Sequence, residues 1–392
     1  MSLVPVESAP GRPLHVLTLT PFFPRAGNES NGCFVAEPLR ELAAAGVRCS
    51  VLSVDPWYRP HATPLASPLQ VEQIHYPAWP GGWGLASAGT GLFLKLRAPV
   101  KALHARTPVD LIHAHGALPC GRAAELLSRR FNIPFVVTVH GLDAFSTRQV
   151  GGWAGERCRT ISRGVYAAAR RVIGVSQHVC DQVRRGSDER VALSVVYNGV
   201  DAAMFTEGTD PVRPVLLTVG NLIPTKGHAL VVRALAAIAA EHPALTWDVI
   251  GDGPERDRIR GLAAEMGVSG RVRFLGRKNR EETAQAFRAC TIFAMPSTYE
   301  GLGCVYLEAM ASAKPAVGCR GQGIEEVIRH GENGWLVGMD NLEEITAGLR
   351  ALLGSASLRT QIGAAARDSI LRSFTLAHQS RQLLSVYKEC AR

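Results

Sequence analysis

Residues 295–310 read Met295-Pro-Ser-Thr-Tyr-Glu300-Gly-Leu-Gly303-Cys-Val-Tyr-Leu-Glu308-Ala-Met310. The apolar run Ile292–Met295 reads as a buried strand that enters a Pro/Ser turn. An acidic residue, Glu300, and a Gly-Leu-Gly bend follow, and from Gly303 the spacing of Val305, Leu307, Ala309 and Met310 suits a helix. Such a joint presents unpaired backbone N–H groups and the positive end of a helix dipole, which suits a diphosphate. Glu308 lies about 7–8 Å beyond Gly303 along the helix axis, and its side chain leans back toward the helix start. The two carboxylates therefore bracket the anion site and are too far apart for a close acid dyad. Taken alone, the pair is equally a solvated loop Glu and a helix-surface Glu.

Glu300-x7-Glu308, within Pro-Ser-x-x-Glu-Gly-Leu-Gly-x-x-x-x-Glu-Ala-Met, resembles the E-x7-E signature of retaining glycosyltransferases of the GT-B fold, most closely glycosyltransferase family 4. The resemblance covers about residues 14–390. It implies an α/β protein of two facing Rossmann-like domains with parallel sheets and an interdomain cleft. It also implies that Glu300 holds sugar hydroxyls, that backbone N–H groups of Gly301, Leu302, Gly303, Cys304 and Val305 hold a diphosphate, and that Glu308 holds a ribose.

Composition agrees. A chain of 392 residues is long for one core and comfortable for two domains. No apolar run is long enough to span a membrane, and Met1–Pro13 lacks a signal-peptide core, so the expected location is cytoplasmic. Nine cysteines without a C-x-x-C pair read as reduced, mostly buried side chains. Residues 1–206 carry 21 Lys/Arg against 14 Asp/Glu, whereas residues 207–392 carry 22 against 20. With no nucleic-acid motif and few aromatics, a nucleic-acid footprint ranks last. Solvated surface and attraction to anionic lipid compete equally on charge. The family resemblance tilts the reading to peripheral contact of the basic N-terminal domain with the inner face of the plasma membrane.

Short apolar strands alternate with helical patterns twice over. The first set runs Leu14–Thr20, Cys49–Val54, Val71–Tyr76, Asp110–His115, Pro134–His140 and Arg171–Ser176. The second runs Val215–Gly220, Thr246–Gly251, Val272–Gly276, Ile292–Met295, Pro315–Gly318 and Trp335–Val337. Near-continuous apolar strands separated by helices predict parallel sheets covered on both faces. The expected domains are an acceptor domain over 1–205, a donor domain over 206–374, and a final helix over 375–392. On resemblance alone, that helix crosses back to the first domain. Pro56–Gly91, with Trp57, Trp79 and Trp83, reads as a specificity loop or simply as packed surface.

A second motif, Gly220-Asn221-Leu-Ile-Pro-Thr-Lys226-Gly227, is a strand end, a loop and a lysine opening a helix. It resembles the family's G-R-L-x-x-x-K-G loop, whose Arg and Lys grip the donor diphosphate. Lys226 matches, but the Arg position is Asn221. Either Asn221 donates a neutral hydrogen bond, or Arg277, Arg320 or Arg25 compensates. In the same resemblance Gly32, opening the first helix, lies against the donor phosphates and the acceptor. Gly276-Arg277 lies against the nucleotide base, though turn chemistry explains that pair and Gly251-Asp252-Gly253-Pro254 as readily. His140, ending a strand in Val-His-Gly-Leu-Asp, matches the family histidine beside the donor sugar. His113 and His115 share a strand face, so His115 is an acceptor-site candidate. Asp143 binds acceptor hydroxyls or caps a helix.

No Asp-x-Asp occurs in the sequence. The resemblance thus implies a retaining, metal-independent hexosyltransferase without a cofactor. Its partners would be a UDP- or GDP-sugar donor and a glycan or lipid-linked acceptor in bacterial polysaccharide synthesis. Catalytic roles fall to His140 and Glu300. Two alternatives stay open, a nucleotide-sugar epimerase on a GT-B scaffold and a non-catalytic nucleotide-sugar-binding protein.

Overall fold

The structure, a computed structural model, describes residues 7–9, 12–60, 67–141 and 150–391. It divides into two compact units, residues 1–197 with 377–392, and residues 198–376. No helix among the described residues is long and apolar enough to cross a membrane.

The first unit opens with a small antiparallel pair, β1 (Glu7–Ala9) and β2 (Arg12–Pro13). Seven parallel strands then form one sheet: β3 (His15–Thr20), β4 (Arg48–Pro56), β5 (Gln70–Tyr76), β6 (Leu111–His115), β7 (Phe135–Val139), β8 (Arg171–Gly174) and β9 (Leu193–Val195). Their spatial order is β5-β4-β3-β6-β7-β8-β9. β3, β6 and β7 are buried at every residue, as parallel strands under helices on both faces should be, and the polar His113, His115 and Thr138 are buried with them. The chain winds outward from β3 through β4 to β5, then returns to the other side of β3 with β6. That reversal leaves a crevice outside the carboxyl ends of β3 and β6.

Helices α1 (Cys33–Ala44), α2 (Gly82–Arg106), α3 (Arg122–Phe131), α4 (Gly152–Ala168) and α5 (Gln177–Gly186) connect these strands. α2 corrects the sequence reading, because the expected loop over Pro56–Gly91 becomes helical at Gly82 and stays so for 25 residues. Its glycines look like loop punctuation but are contact points. A Cβ on Gly84 would sit 1.7 Å from the Trp79 carbonyl oxygen, and one on Gly91 would sit 2.5 Å from that of Pro77. Only glycine lets the helix lie this close to the preceding chain. Trp57 and Trp79 stand exposed beside it, with the Trp57 indole N–H donating to the Ala78 carbonyl at 2.9 Å.

The second unit has six parallel strands, β10 (Val215–Val219), β11 (Thr246–Ile250), β12 (Val272–Gly276), β13 (Ile292–Ala294), β14 (Ala316–Cys319) and β15 (Trp335–Val337). The spatial order is β12-β11-β10-β13-β14-β15. Here the reversal lies between β10 and β13. Helices α6 (His228–Ala237), α7 (Arg256–Glu265), α8 (Arg280–Ala289), α9 (Cys304–Ala311), α10 (Leu342–Gly354) and α11 (Ala356–Ser373) complete it. Its core joins Leu216, Trp247, Val249 and Ile292 of the sheet to Val231, Leu235, Leu349 and Ile362 of the helices.

The division falls earlier than the expected boundary at residue 205. Residues 198–205 sit with the second unit, where the Phe205 ring packs edge-on to Phe287 at 5.8 Å and Asn198 Nδ2 donates to the Leu302 carbonyl at 2.9 Å. The last helix, α12 (Leu376–Cys390), belongs to the first unit from residue 377 onward. Leu383, Leu384, Val386, Tyr387 and Cys390 share a core with Leu14, Val16, Leu39 and Val51.

All nine cysteines are free thiols. Burial pushes those of Cys49, Cys290 and Cys319 up to about 12, which keeps them protonated and inert.

Candidate active site

In the second unit the loops leaving β10 and β13 flank the topological reversal and are pinned to each other. The Thr298 N–H donates to the Thr225 carbonyl at 2.9 Å. Gly227 adopts φ 73°, and a Cβ there would lie 2.2 Å from the Pro296 carbonyl oxygen. This contact brings Lys226 of one loop to Glu300 of the other, with Nζ 2.5 Å from Oε2 and side chains 18% and 13% exposed. The Glu300 backbone is anchored on both sides. Its N–H donates to Gln322 Oε1 at 2.9 Å, and its carbonyl accepts from the Gly323 N–H at 3.1 Å.

α9 starts directly after this turn. Gly303 precedes its first residue and contributes no side-chain cap, while its carbonyl accepts from the Tyr306 N–H at 3.1 Å. A Cβ on Gly303 would stand 3.0 Å from the Glu300 carboxyl carbon, so a larger residue would crowd the carboxylate. The buried Tyr306 hydroxyl donates to the Met295 carbonyl and ties the helix back to the strand end. Burial pushes that phenol well above its ordinary range.

Glu308 is 2% exposed, and its Oε1 lies 2.5 Å from Arg280 Nη1. The Arg280 guanidinium in turn lies over the Phe205 ring, 4.8 Å from its centroid. The second carboxylate of the signature is thus a buried, charge-paired group. Of the cations weighed against Asn221, Arg320 pairs with Glu344 and Arg25 with Asp55 in the first unit. Arg277 is exposed and has no ion pair among the described residues. Its neighbour Gly276 accepts a 2.8 Å hydrogen bond from Gly251, and Gly220 donates to Ile250 at 2.9 Å. Gly276-Arg277 and Gly220-Asn221 therefore stand at the carboxyl ends of β12 and β10, on either side of β11.

In the first unit the loop after β3 closes on Gly32, which is buried at φ 74°. A Cβ there would lie 2.3 Å from the Phe22 carbonyl carbon. Phe22 and Phe34 from this loop and α1 flank His140, at 5.9 and 4.7 Å between ring centroids. His140 follows β7, and its Nε2 lies 2.9 Å from Nδ1 of His115 at the end of β6. Beneath them His113 uses both ring nitrogens, Nδ1 with the Tyr387 hydroxyl and Nε2 with the Thr138 hydroxyl, each at 2.7 Å. The predicted pair His113/His115 does share a strand face, with ring centroids 4.4 Å apart. Asp143 lies outside the described residues. Ser176 accepts from the Val179 N–H at 3.2 Å and so caps α5.

Burial lowers His113 and His140 to about 3 and drives His115 well below the ordinary histidine range, helped by its two histidine neighbours. The unfolded chain takes up these protons near pH 6.5 and the folded chain does not. Stability should therefore be flat above pH 7 and fall as pH drops from about 6.5 toward 3. The buried His113 and His115 should each withdraw about 2 kcal/mol between pH 7 and 5, whereas His140, with an edge at the surface, contributes less. Denaturant unfolding at both pH values checks this. Equal stability at pH 7 and 5 would mean that these rings are already charged in the fold.

Two family models match the chain. Residues 34–203 match Glycosyltransferase Family 4, and residues 200–369 match Glycosyl transferases group 1. A D-inositol 3-phosphate glycosyltransferase of Corynebacterium efficiens is 30% identical over 303 residues, which is 71% of each chain. The chain belongs to glycosyltransferase family 4. Solved structures agree on the fold. Sucrose-phosphate synthase from Thermosynechococcus elongatus superposes with a TM-score of 0.78 at 22% identity, over 96% of this chain and 98% of that one. Anabaena HepE in complex with UDP-glucose gives 0.73 at 21%, over 96% and 100%.

The sequence of this glycosyltransferase singled out Glu300, Lys226 and His140 but not the residues that hold them in place. Arg280 opens a capping-box helix, where Asn279 and Glu282 bond reciprocally, and so reads as ordinary helix-start chemistry. Gln322 and Tyr387 carry no motif at all. Only the fold brings them to Glu300 and His113.

Proposed function

We propose that this enzyme transfers a hexose, with retention of anomeric configuration and without a metal, from a UDP- or GDP-sugar to a glycan or lipid-linked acceptor. The observation that carries the reading is the Lys226–Glu300 pair beside the start of α9 at the sheet reversal. A donor diphosphate is the stronger partner for Lys226 and would draw it from Glu300. The carboxylate is then left to the sugar hydroxyls, while N–H groups from Gly301 to Val305 take up phosphate charge. Arg277 stands in for the cation that Asn221 lacks, and His140 positions the donor sugar.

Glu300 and Glu308 each hold a different cation, which argues against their acting as a nucleophile–acid pair. Attack from the leaving-group face through an oxocarbenium-like state fits better, with the departing phosphate oxygen helping to take the acceptor proton. The lack of Asp-x-Asp supports independence from metal. The name of the Corynebacterium relative supports a hydroxyl-rich acceptor, and the Anabaena complex supports a UDP-hexose donor. The basic first half supports peripheral contact with an anionic membrane.

A panel of UDP-, GDP- and ADP-sugars, incubated with EDTA present, tests the proposal. One nucleoside diphosphate should be released slowly and at the same rate as without EDTA. Sugar interconversion without nucleotide release would instead mean an epimerase. Tight binding with no release, even with lipid-linked acceptors added, would mean a binding protein.

A further inference from the structure

The second unit begins at Asn198, on a segment braced by residues 374–376. The Val200 N–H donates to the Phe374 carbonyl at 2.9 Å, and the Val200 carbonyl accepts from the Leu376 N–H at 3.1 Å. A Cβ on Gly199 would lie 2.6 Å from the Thr375 carbonyl oxygen, so glycine is what lets the two segments lie this close. Asn198 therefore stands on backbone that is held in place.

Its side chain, 5% exposed, reaches the turn between Glu300 and α9, where Nδ2 donates to the Leu302 carbonyl at 2.9 Å. The atom facing that carbonyl must be the amide nitrogen, because a carbonyl oxygen only accepts. The other end of the amide, Oδ1, is buried with no hydrogen-bond partner among the described residues. Asn198 thus keeps its donor on the turn at the cost of a bare acceptor, which is the less expensive group to orphan.

The Leu302–Gly303 peptide is trans, so its C=O and N–H point in opposite directions. Holding the Leu302 carbonyl toward Asn198 therefore aims the Gly303 N–H away from it. That N–H makes no hydrogen bond to another described residue, and the Glu300 carboxylate lies beside Gly303. With glycine on its nitrogen side the peptide could rotate at little cost. Its direction needs a side chain to hold it.

We infer that Asn198 is a positioning residue that aims the Gly303 N–H at the donor diphosphate. This rests on the reading that backbone N–H groups of this turn take up the donor's phosphate charge.

The sequence contains three Leu–Gly peptides, at 275–276, 302–303 and 353–354. Carbon-13 at leucine carbonyls and nitrogen-15 at glycine therefore give three carbonyl-to-amide NMR signals from the full-length chain, and Leu302→Met identifies the one at Gly303. Asn198→Ala should move the Leu302 carbonyl upfield and leave the other two signals in place, which also shows that the second unit is folded. Saturating UDP or GDP should move the Gly303 amide proton downfield in the unaltered chain. In Asn198→Ala the affinity for that diphosphate should fall about tenfold, as for a misaimed hydrogen bond to a charged group, while affinity for its nucleoside stays unchanged. An unmoved Leu302 carbonyl, a Gly303 amide indifferent to bound diphosphate, or equal losses for diphosphate and nucleoside would overturn the inference and leave the donor reading standing. If neither diphosphate binds the unaltered chain, the donor reading fails and takes the inference with it.

Discussion

Glu300→Gln should lower donor turnover by about 10²–10³-fold, the usual effect of removing one preorganised electrostatic contact from a transition state. Gln keeps the shape of the side chain and can still accept a hydrogen bond from Lys226. It removes the charge that balances Lys226 and the second anionic oxygen available to sugar hydroxyls. The fold should survive, because the turn is anchored through backbone atoms, by Gln322 to the Glu300 N–H and by Gly323 to its carbonyl. Breaking a fully buried ion pair costs about 3–5 kcal/mol. Here both side chains keep some contact with water, at 18% and 13%, and the lysine can swing outward, so about 1 kcal/mol is expected. Nucleoside diphosphate release and a denaturant midpoint, measured on the same preparation, separate the two effects. Turnover within threefold of the parent enzyme would remove Glu300 from the chemistry.

The second large effect is expected at a position with no functional group. Gly227→Ala should cost about 3 kcal/mol and should weaken donor use more than any stability loss explains. Part of the cost is the left-handed backbone at φ 73°, worth about 1–2 kcal/mol for alanine. The rest is a collision between the new methyl and the Pro296 carbonyl oxygen at 2.2 Å, and backbone cannot yield as a flexible side-chain tip can. The two loops must part, and Lys226 is the next residue along. Gly267→Ala supplies the comparison, since Gly267 has φ 71° with nothing within 4 Å of its would-be Cβ. It should show the backbone cost alone and full turnover. If the two substitutions behave alike, the contact with Pro296 does not position Lys226.

What was legible in the sequence follows from what each feature costs to bury. The central strands of both sheets stood out because parallel strands covered on both faces are mostly apolar. The predicted strands match those observed to within about two residues; the short β1, β2 and β9 were not predicted, and the partly exposed Leu193–Val195 of β9 lacks the apolar signal. The two signature loops were visible because glycine, lysine and glutamate at strand–helix joints have few structural uses in common. α2 was hidden because its glycines answer to close packing, and a sequence shows glycine without showing what it approaches. The pairing of Arg280 with Glu308 bridges 28 residues, and that of His113 with Tyr387 bridges 274. Neither leaves a local pattern. The early boundary was missed because Asn198 and Phe205 are held by contacts on Leu302 and Phe287, far along the chain.

The place of α12 has a consequence during synthesis. Leu383, Leu384, Tyr387 and Cys390 are core residues of a unit whose other core residues begin at Leu14. A ribosome making this chain releases the first sheet early, yet the core around Leu39 of α1 and Val51 of β4 stays partly uncovered until the last turns of α12 emerge. The second unit, continuous from 198 to 376, has all its residues available before then. Domains generally fold as units in the order they are made. Here the first unit to be translated is the last whose core can close, and for most of the translation time its exposed face is a surface for chaperones to guard.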